Sequence, residues 1–292
     1  MSWKIEHRKN RNNGRKAPGQ QAHDEAACGR RCGVFRLYRH YVSILLRSAM
    51  QYKASFLLGA AGQFLVSFNG LLGLLFIFAR FSSVKGYTCE EALLCYGVML
   101  LGFSVAQCIA RGLESFPFLI KSGEFDRILV RPRSVLLQVL GSRFETNRLF
   151  RILLACGMLC YSLRHCLVVW TLQKAAVLIL MLFGIIALFV GLFLLGAAIS
   201  FFTIEDGGFL NVLIYGGSEH GKYPVDIYGK QMLKFCTYVI PYALVQYYPL
   251  QYLLGRTARW EYALYPLGAA VFLLACYGAW RFGMRHYQSA GS

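Results

Sequence analysis

Residues 175–203 read AAVLILMLFGIIALFVGLFLLGAAISFFT, a run of 29 residues without a charged side chain. A run longer than about 20 apolar residues reads as a helix crossing the hydrocarbon core, because lipid offers backbone amides no partner outside the helix itself. Three further runs share this character: residues 54–79 (26 residues), 92–110 (19) and 262–280 (19). As a helix the first would be about 39 Å long, enough to cross a core of about 30 Å with tilt.

Two more segments belong to the same pattern with less purity. Residues 149–172 are apolar but carry Arg151 at one end and Arg164 and His165 near the other, where long side chains can snorkel to the headgroups. Between 205 and 254 the choice is open. Residues 232–254 are apolar but contain Lys234, Pro241 and Pro249, whereas 207–223 are short and polar. One of them must cross, and irregular backbone at membrane depth needs protein around it, so a broken or re-entrant region is expected before the last helix. The expected fold is all-α: a polytopic membrane protein of six transmembrane helices.

Composition agrees: 57% of the 292 residues are hydrophobic and 15% charged, against roughly 45–50% and 25% in soluble domains. The net charge of +17 is not the footprint of nucleic-acid binding, because the basic residues avoid the apolar runs and gather between them. With the amino terminus inside, 22 Lys and Arg fall in residues 1–53, 111–151 and beyond Trp280, and 6 fall on the opposite side. The positive-inside rule then places both termini in the cytoplasm.

Residues 1–33 are polar and basic and are expected to be a disordered cytoplasmic tail; no short apolar core follows the basic start, so it does not read as a signal peptide. Beyond it, Arg36, Arg39, His40, Ser43, Arg47 and Gln51 recur at steps of three and four with Leu37, Tyr38, Tyr41 and Leu45 between them. This period predicts an amphipathic interfacial helix over 34–53.

Motifs for catalysis are absent or incomplete. Residues 216–222, GGSEHGK, match the first seven positions of a phosphate-binding loop, but Tyr223 replaces the Ser/Thr that would hold magnesium, Pro224 follows, and no strand precedes. The histidines are isolated, and Cys28 and Cys32 have no second Cys/His pair at zinc spacing. Most other cysteines (Cys95, Cys108, Cys156, Cys160, Cys276) lie in apolar runs, where a thiol packs as a small hydrophobe. Glu205 and Asp206 could bind a cation but read rather as the cap of a following helix, and the small residues at 59–62 and 191–198 as points of close helix approach.

The most informative polar segment is 111–151, far longer than a connection between spans needs. It contains Ile120-Lys121-Ser122-Gly123-Glu124-Phe125-Asp126-Arg127-Ile128-Leu129-Val130-Arg131-Pro132. Mixed charge with interleaved apolar residues predicts a short amphipathic helix ending before Pro132. This stretch resembles the I-R/K-x-G-x-[LF]-D-x-x-L-x-R-P segment of permease subunits in type-2 ATP-binding-cassette (ABC) exporters. Tyr223-Pro224-Val225-Asp226-Ile227-Tyr228-Gly229, Val239-Ile240-Pro241-Tyr242-Ala243 and the carboxyl end Gly283-Met284-Arg285-His286-Tyr287-Gln288 are similar to an uncharacterised bacterial branch of that class.

The resemblance implies a six-helix subunit of a bacterial plasma (inner) membrane that pairs with a second permease, like or identical, and docks on cytoplasmic ABC ATPase subunits. ATP and Mg would be bound by the ATPase partner, with no cofactor in this chain. Residues 34–53 would be the connecting helix, and Gly123, Glu124, Phe125, Asp126, Arg127, Arg131 and Pro132 the segment that couples to the ATPase. It also implies a fifth span at 207–223 and short helices at 232–254 dipping in from outside. The alternative is a membrane-embedded enzyme or scaffold, which would require a polar catalytic cluster at one depth.

Overall fold

The computed structural model describes residues 53–203 and 208–288, apart from 144, 146 and 167, together with the single positions 43 and 51. The tail 1–33 with Cys28 and Cys32, the interfacial-helix residues Arg36, Arg39 and Arg47, and Glu205 and Asp206 lie outside the described residues.

Every regular element among the described residues is helical; one isolated bridge joins Val84 and Tyr87 across a tight turn. Among the described residues four helical stretches are long and apolar enough to cross a membrane: Lys53–Arg80, Cys89–Lys121, Leu172–Ile199 and Glu261–Arg285. The first is helix α1 (Lys53–Arg80). Helix α2 (Cys89–Glu114) starts on a reciprocal cap. The Glu91 amide donates to Thr88 Oγ1 at 3.4 Å and the Thr88 amide to the Glu91 carboxylate at 3.0 Å, satisfying two otherwise orphan donors. It continues past the charge-free run through a kink at Ala110 (φ −106°, ψ 15°) into α3 (Phe116–Lys121), α4 (Glu124–Leu129) and α5 (Val135–Leu140).

Helix α6 (Arg148–His165) corrects the expected span over 149–172. It stops at His165 because Cys166 is extended (φ −70°, ψ 130°), and the chain re-enters a helix only where Thr171 Oγ1 accepts the Lys174 amide at 3.3 Å. With 18 residues, about 27 Å, and arginines at 148, 151 and 164, it is shorter and more charged than the four long stretches. Helix α7 (Leu172–Ile199) therefore begins three residues before the charge-free run.

The region 205–254 is broken as expected, in short pieces. Helix α8 (Gly208–His220) has 13 residues, about 20 Å. A 3-10 turn at Val225–Tyr228 follows, then α9 (Lys230–Tyr238), α10 (Tyr242–Val245) and α11 (Tyr247–Leu253). Glycine and proline divide them: Gly229 has φ 102°, and Pro241 precedes α10. The last apolar run is a four-residue helix α12 (Glu261–Leu264), a 3-10 turn with Pro266, and α13 (Gly268–Arg285), which extends beyond the expected end at Trp280.

Contacts fix the directions. Ser162 Oγ at the end of α6 donates to the Glu90 carbonyl at the start of α2 at 2.8 Å, so these helices are antiparallel. Gly184 meets Pro266, Gly191 meets Phe272, and Gly283 meets Phe201 and the Ala198 carbonyl, so α7 and α13 run parallel. The small residues of α7 thus bring helices together as expected; in α1, Gly59 closely approaches Asn147 and Ala60 is buried, whereas Ala61 and Gly62 are exposed. Helices α2 and α7 form the centre, where Phe103 and Phe189 lie 4.6 Å apart, ring to ring. Only 11% of the most apolar window of α1 is buried, against 83% in the α2 stretch. Its outward Leu58, Leu65 and Val66 suit lipid, which is as apolar as they are.

Candidate functional site

The segment expected to couple to an ATPase holds one short helix, α4, ending before Pro132 as expected. Gly123, at φ 69°, turns the chain between α3 and α4, a backbone region that costs a side-chain-bearing residue energy. Helix α4 is amphipathic in the sense the pattern predicts. Phe125 and Ile128 are buried, and Glu124, Arg127, Leu129, Arg131 and Pro132 are exposed, with Val130 85% exposed. The Phe125 ring lies 4.9 Å from Phe116, 5.0 Å from Tyr287 and 5.6 Å from Phe201; Trp280 closes the cluster at 4.8 Å from Phe116. Tyr287 also donates to Asp126 Oδ1 at 3.1 Å. From α5, the Gln138 side-chain amide donates to the carbonyls of Ile128 and Arg133 at 3.4 and 3.2 Å. The exposed face of α4 is thereby clamped to α3, to the residues just after α7 and to the end of α13.

A second site was invisible as a motif. Arg151 does not snorkel outward; its guanidinium turns in over the Phe103 ring at 5.5 Å and donates to Gln107 Oε1 at 3.3 Å. From there a polar seam joins four helices. Gln107 donates to the Tyr215 hydroxyl at 3.5 Å, and Tyr215 donates to Glu114. Arg111 pairs with Glu114 at 2.6 Å and with Glu145 at 3.1 Å. Arg148 pairs with Glu145 at 3.1 Å and donates to Gln63 Oε1 at 3.2 Å. A separate pair, Lys222 with Glu219, follows on the same side of α8, and the Lys222 ammonium sits 5.7 Å from the Tyr96 ring centre. At one end of the seam a cavity of about 380 Å³ opens among Arg111, Glu114, Phe193, Ser200, Asn211 and Tyr215. The signal available in sequence was Gln63 and Gln107 inside apolar runs, together with Asn211, Tyr215, Glu219 and Lys222 at helical spacing. Polar groups at membrane depth face protein or a water-filled path.

At the opposite end the chain is tied by a third cluster. Arg256 pairs with Glu91 at 2.6 Å, donates to the Gly86 carbonyl at 2.7 Å and covers the Tyr87 ring at 3.9 Å. Tyr87 donates to Asp226 at 3.2 Å and accepts from the Gln251 amide, while Lys85 donates to the Asp226 carbonyl at 2.7 Å. Burial, and then the neighbouring Asp226 carboxylate, push the Tyr87 phenol well above its ordinary range. Burial likewise raises Asp226, against the opposing Tyr87 hydrogen bond and Lys85 charge.

The glycine-rich stretch that imitates a phosphate loop lies mostly inside α8. A Cβ on Gly217 would stand 2.1 Å from the Tyr242 ring, so this glycine serves helix packing. Tyr242 donates to the Leu213 carbonyl at 2.9 Å, and Gln246 donates to the Gly221 carbonyl where the helix ends. Arg164 and His165 end α6 exposed, with His165 stacked 4.4 Å from Tyr161. Cys95, Cys108 and Cys276 are buried free thiols, as expected of small hydrophobes; Cys156 is half-buried and Cys160 exposed. Among the described residues, no three His, Cys, Asp or Glu side chains gather as metal ligands.

Helical described residues with several membrane-length helices and charged groups held between them define a multi-pass membrane protein. The family described as ABC-2 family transporter protein matches residues 64–291, well over half of the chain. The chain belongs to that family, and is a membrane component of a transport system rather than its catalytic part. No curated protein and no solved structure matches it.

Proposed function

We propose that this chain is the permease subunit of an ABC exporter in a bacterial plasma membrane. It forms the substrate pathway along the seam of α1, α2, α6 and α8 and takes its drive from separate ATPase subunits that bind ATP and Mg. On this reading the chain crosses six times: α1, α2, α6, α7, the broken unit beginning with α8, and α13, with both termini inside. A second permease, identical or related, covers the exposed face of α1, where Asn69 would otherwise leave an amide in lipid. The arginine-rich end that carries α3, α4 and the end of α13 faces the cytoplasm by the positive-inside rule.

The observation that carries the coupling role is the anchoring of α4. An exposed charged surface on a helix free to move would transmit nothing. Here Phe125 and Asp126 link that surface to α3, to the residues just after α7 and to the end of α13 through Phe116, Phe201, Trp280 and Tyr287. A push on Glu124 and Arg127 reaches the transmembrane bundle through close-packed aromatic rings, which do not yield as a loop does. Alternating access follows: ATP-driven closure of the partners tilts this end, and the seam opens to the other side. Reversing both charges, Glu124→Arg with Arg127→Glu, should weaken co-purification with the cognate ATPase and leave membrane insertion intact. Unchanged co-purification would sink the coupling role.

A further inference from the structure

Arg151 differs from the other arginines of the seam. Arg111 and Arg148 each hold a carboxylate within 3.1 Å, whereas among the described residues Arg151 has only a neutral amide, Gln107, and the face of Phe103. Its Nε is buried without a hydrogen-bond partner among the described residues. The buried hydroxyl of Ser67 is likewise without a partner among the described residues. Arg151 and Ser67 line a small cavity of about 20 Å³ together with Tyr96, Ser218, Glu219 and Lys222. That volume admits about one oxygen-sized group.

Arg151 is half-buried, and drawing a guanidinium partly out of water without a paired carboxylate is unfavourable, the more so with its Nε left unpaired. Across the seam the charges of Arg111, Arg148 and Lys222 are balanced by Glu114, Glu145 and Glu219. The uncompensated charge is therefore that of Arg151. A planar fork with one free edge, the Ser67 hydroxyl and the nearby Lys222 ammonium make a receptor for an oxyanion.

We propose that the seam binds a phosphate-type oxyanion at Arg151, one oxygen entering the small cavity and the remainder lying in the open seam near Lys222. This rests on the reading of the seam as the substrate pathway, and it names the class of substrate as anionic. The oxyanion belongs either to a lipid headgroup or to a solute free in water, and these sources are separable by experiment.

The full chain is reconstituted in zwitterionic nanodiscs at constant ionic strength. Inorganic phosphate is titrated in one arm, and phosphatidic acid replaces part of the lipid in the other. Thermal unfolding is followed by tryptophan fluorescence. A saturable rise in Tm in the phosphate arm identifies a solute, and a rise in the phosphatidic acid arm alone identifies a headgroup; either supports the site if it depends on Arg151. Arg151→Gln should raise the half-saturating concentration at least about tenfold, the loss of one charge-assisted contact. Arg151→Lys, which keeps the charge without the fork, should fall between, and Arg164→Gln should match wild type. Should Arg151→Gln fail to fold, Arg151→Lys alone decides: equal half-saturation with wild type overturns the proposal. No saturable shift in either arm, or equal shifts in wild type and Arg151→Gln, overturns it too. Transport with no such binding would dismiss the anion site and leave the permease reading standing.

Discussion

Phe125→Ala tests whether α4 is a clamped lever. The ring is fully buried, and removing a buried phenylalanine costs about 3–5 kcal/mol, of which edge-to-face ring pairs supply about 0.5–1.5 kcal/mol each. Helix α4 is six residues long and cannot persist without its docking site, so the loss falls on local opening rather than on the bundle. At about 1.4 kcal/mol per decade, amide exchange in residues 125–131 should accelerate by roughly two to four decades. The amides of α2 and α7 should keep their protection. Tyr287→Phe, which deletes the 3.1 Å hydrogen bond to Asp126 and keeps the ring, should accelerate exchange by about one decade or less. Hydrogen exchange read by mass spectrometry on detergent-purified protein makes the comparison. Unchanged protection of α4 in Phe125→Ala, or equal loss over the whole bundle, would refute the lever argument.

Three further outcomes are expected. Gly217→Ala places a Cβ against the Tyr242 ring and should destabilise by about 1–3 kcal/mol in chemical unfolding, whereas Gly216→Ala, with nothing within 4 Å, should be neutral or stabilising by up to about 1 kcal/mol. A phosphate-binding role would instead make both harmful to nucleotide binding. Arg256→Ala removes a pair, a carbonyl contact and a ring contact, and should lower stability by about 1–2 kcal/mol, less at high salt. Because Asp226 titrates above its ordinary value of 3.8 in the folded chain, the fold binds that proton more tightly than the unfolded chain does. Its contribution to stability should therefore fall as pH rises through the window starting near 3.8, and Asp226→Asn should abolish this slope in a Tm-against-pH series.

Four membrane-length helical stretches were legible because charge-free length alone specifies a helix in lipid. Boundaries were not, since α6 and α7 end and begin on local backbone and capping at Cys166 and Thr171 within a continuous apolar run. The short amphipathic helix over Glu124–Leu129 was recognisable from its pattern, and the turn at Gly123 that starts it follows from a φ that the residue permits but does not announce. The seam was hidden because its members are scattered: Gln63, Gln107, Arg151 and Tyr215 look like isolated exceptions until antiparallel packing of α2 and α6 brings them level. Reading Arg151 as snorkelling failed for the same reason. Position near a helix end says nothing of which way a long side chain turns when Gln107 and Phe103 offer a better environment.

The shortness of α8 bears on how the chain is made. A 13-residue segment leaving the ribosome is too brief and too polar to partition into lipid unaided, and its terminal carbonyl at Gly221 is capped by Gln246, which is translated later. If α8 is the fifth crossing proposed above, this segment is expected to wait during synthesis until residues 242–246 arrive. Ribosome-stalled intermediates ending before Tyr242 should leave it accessible to water, and those extending past α11 should withdraw it.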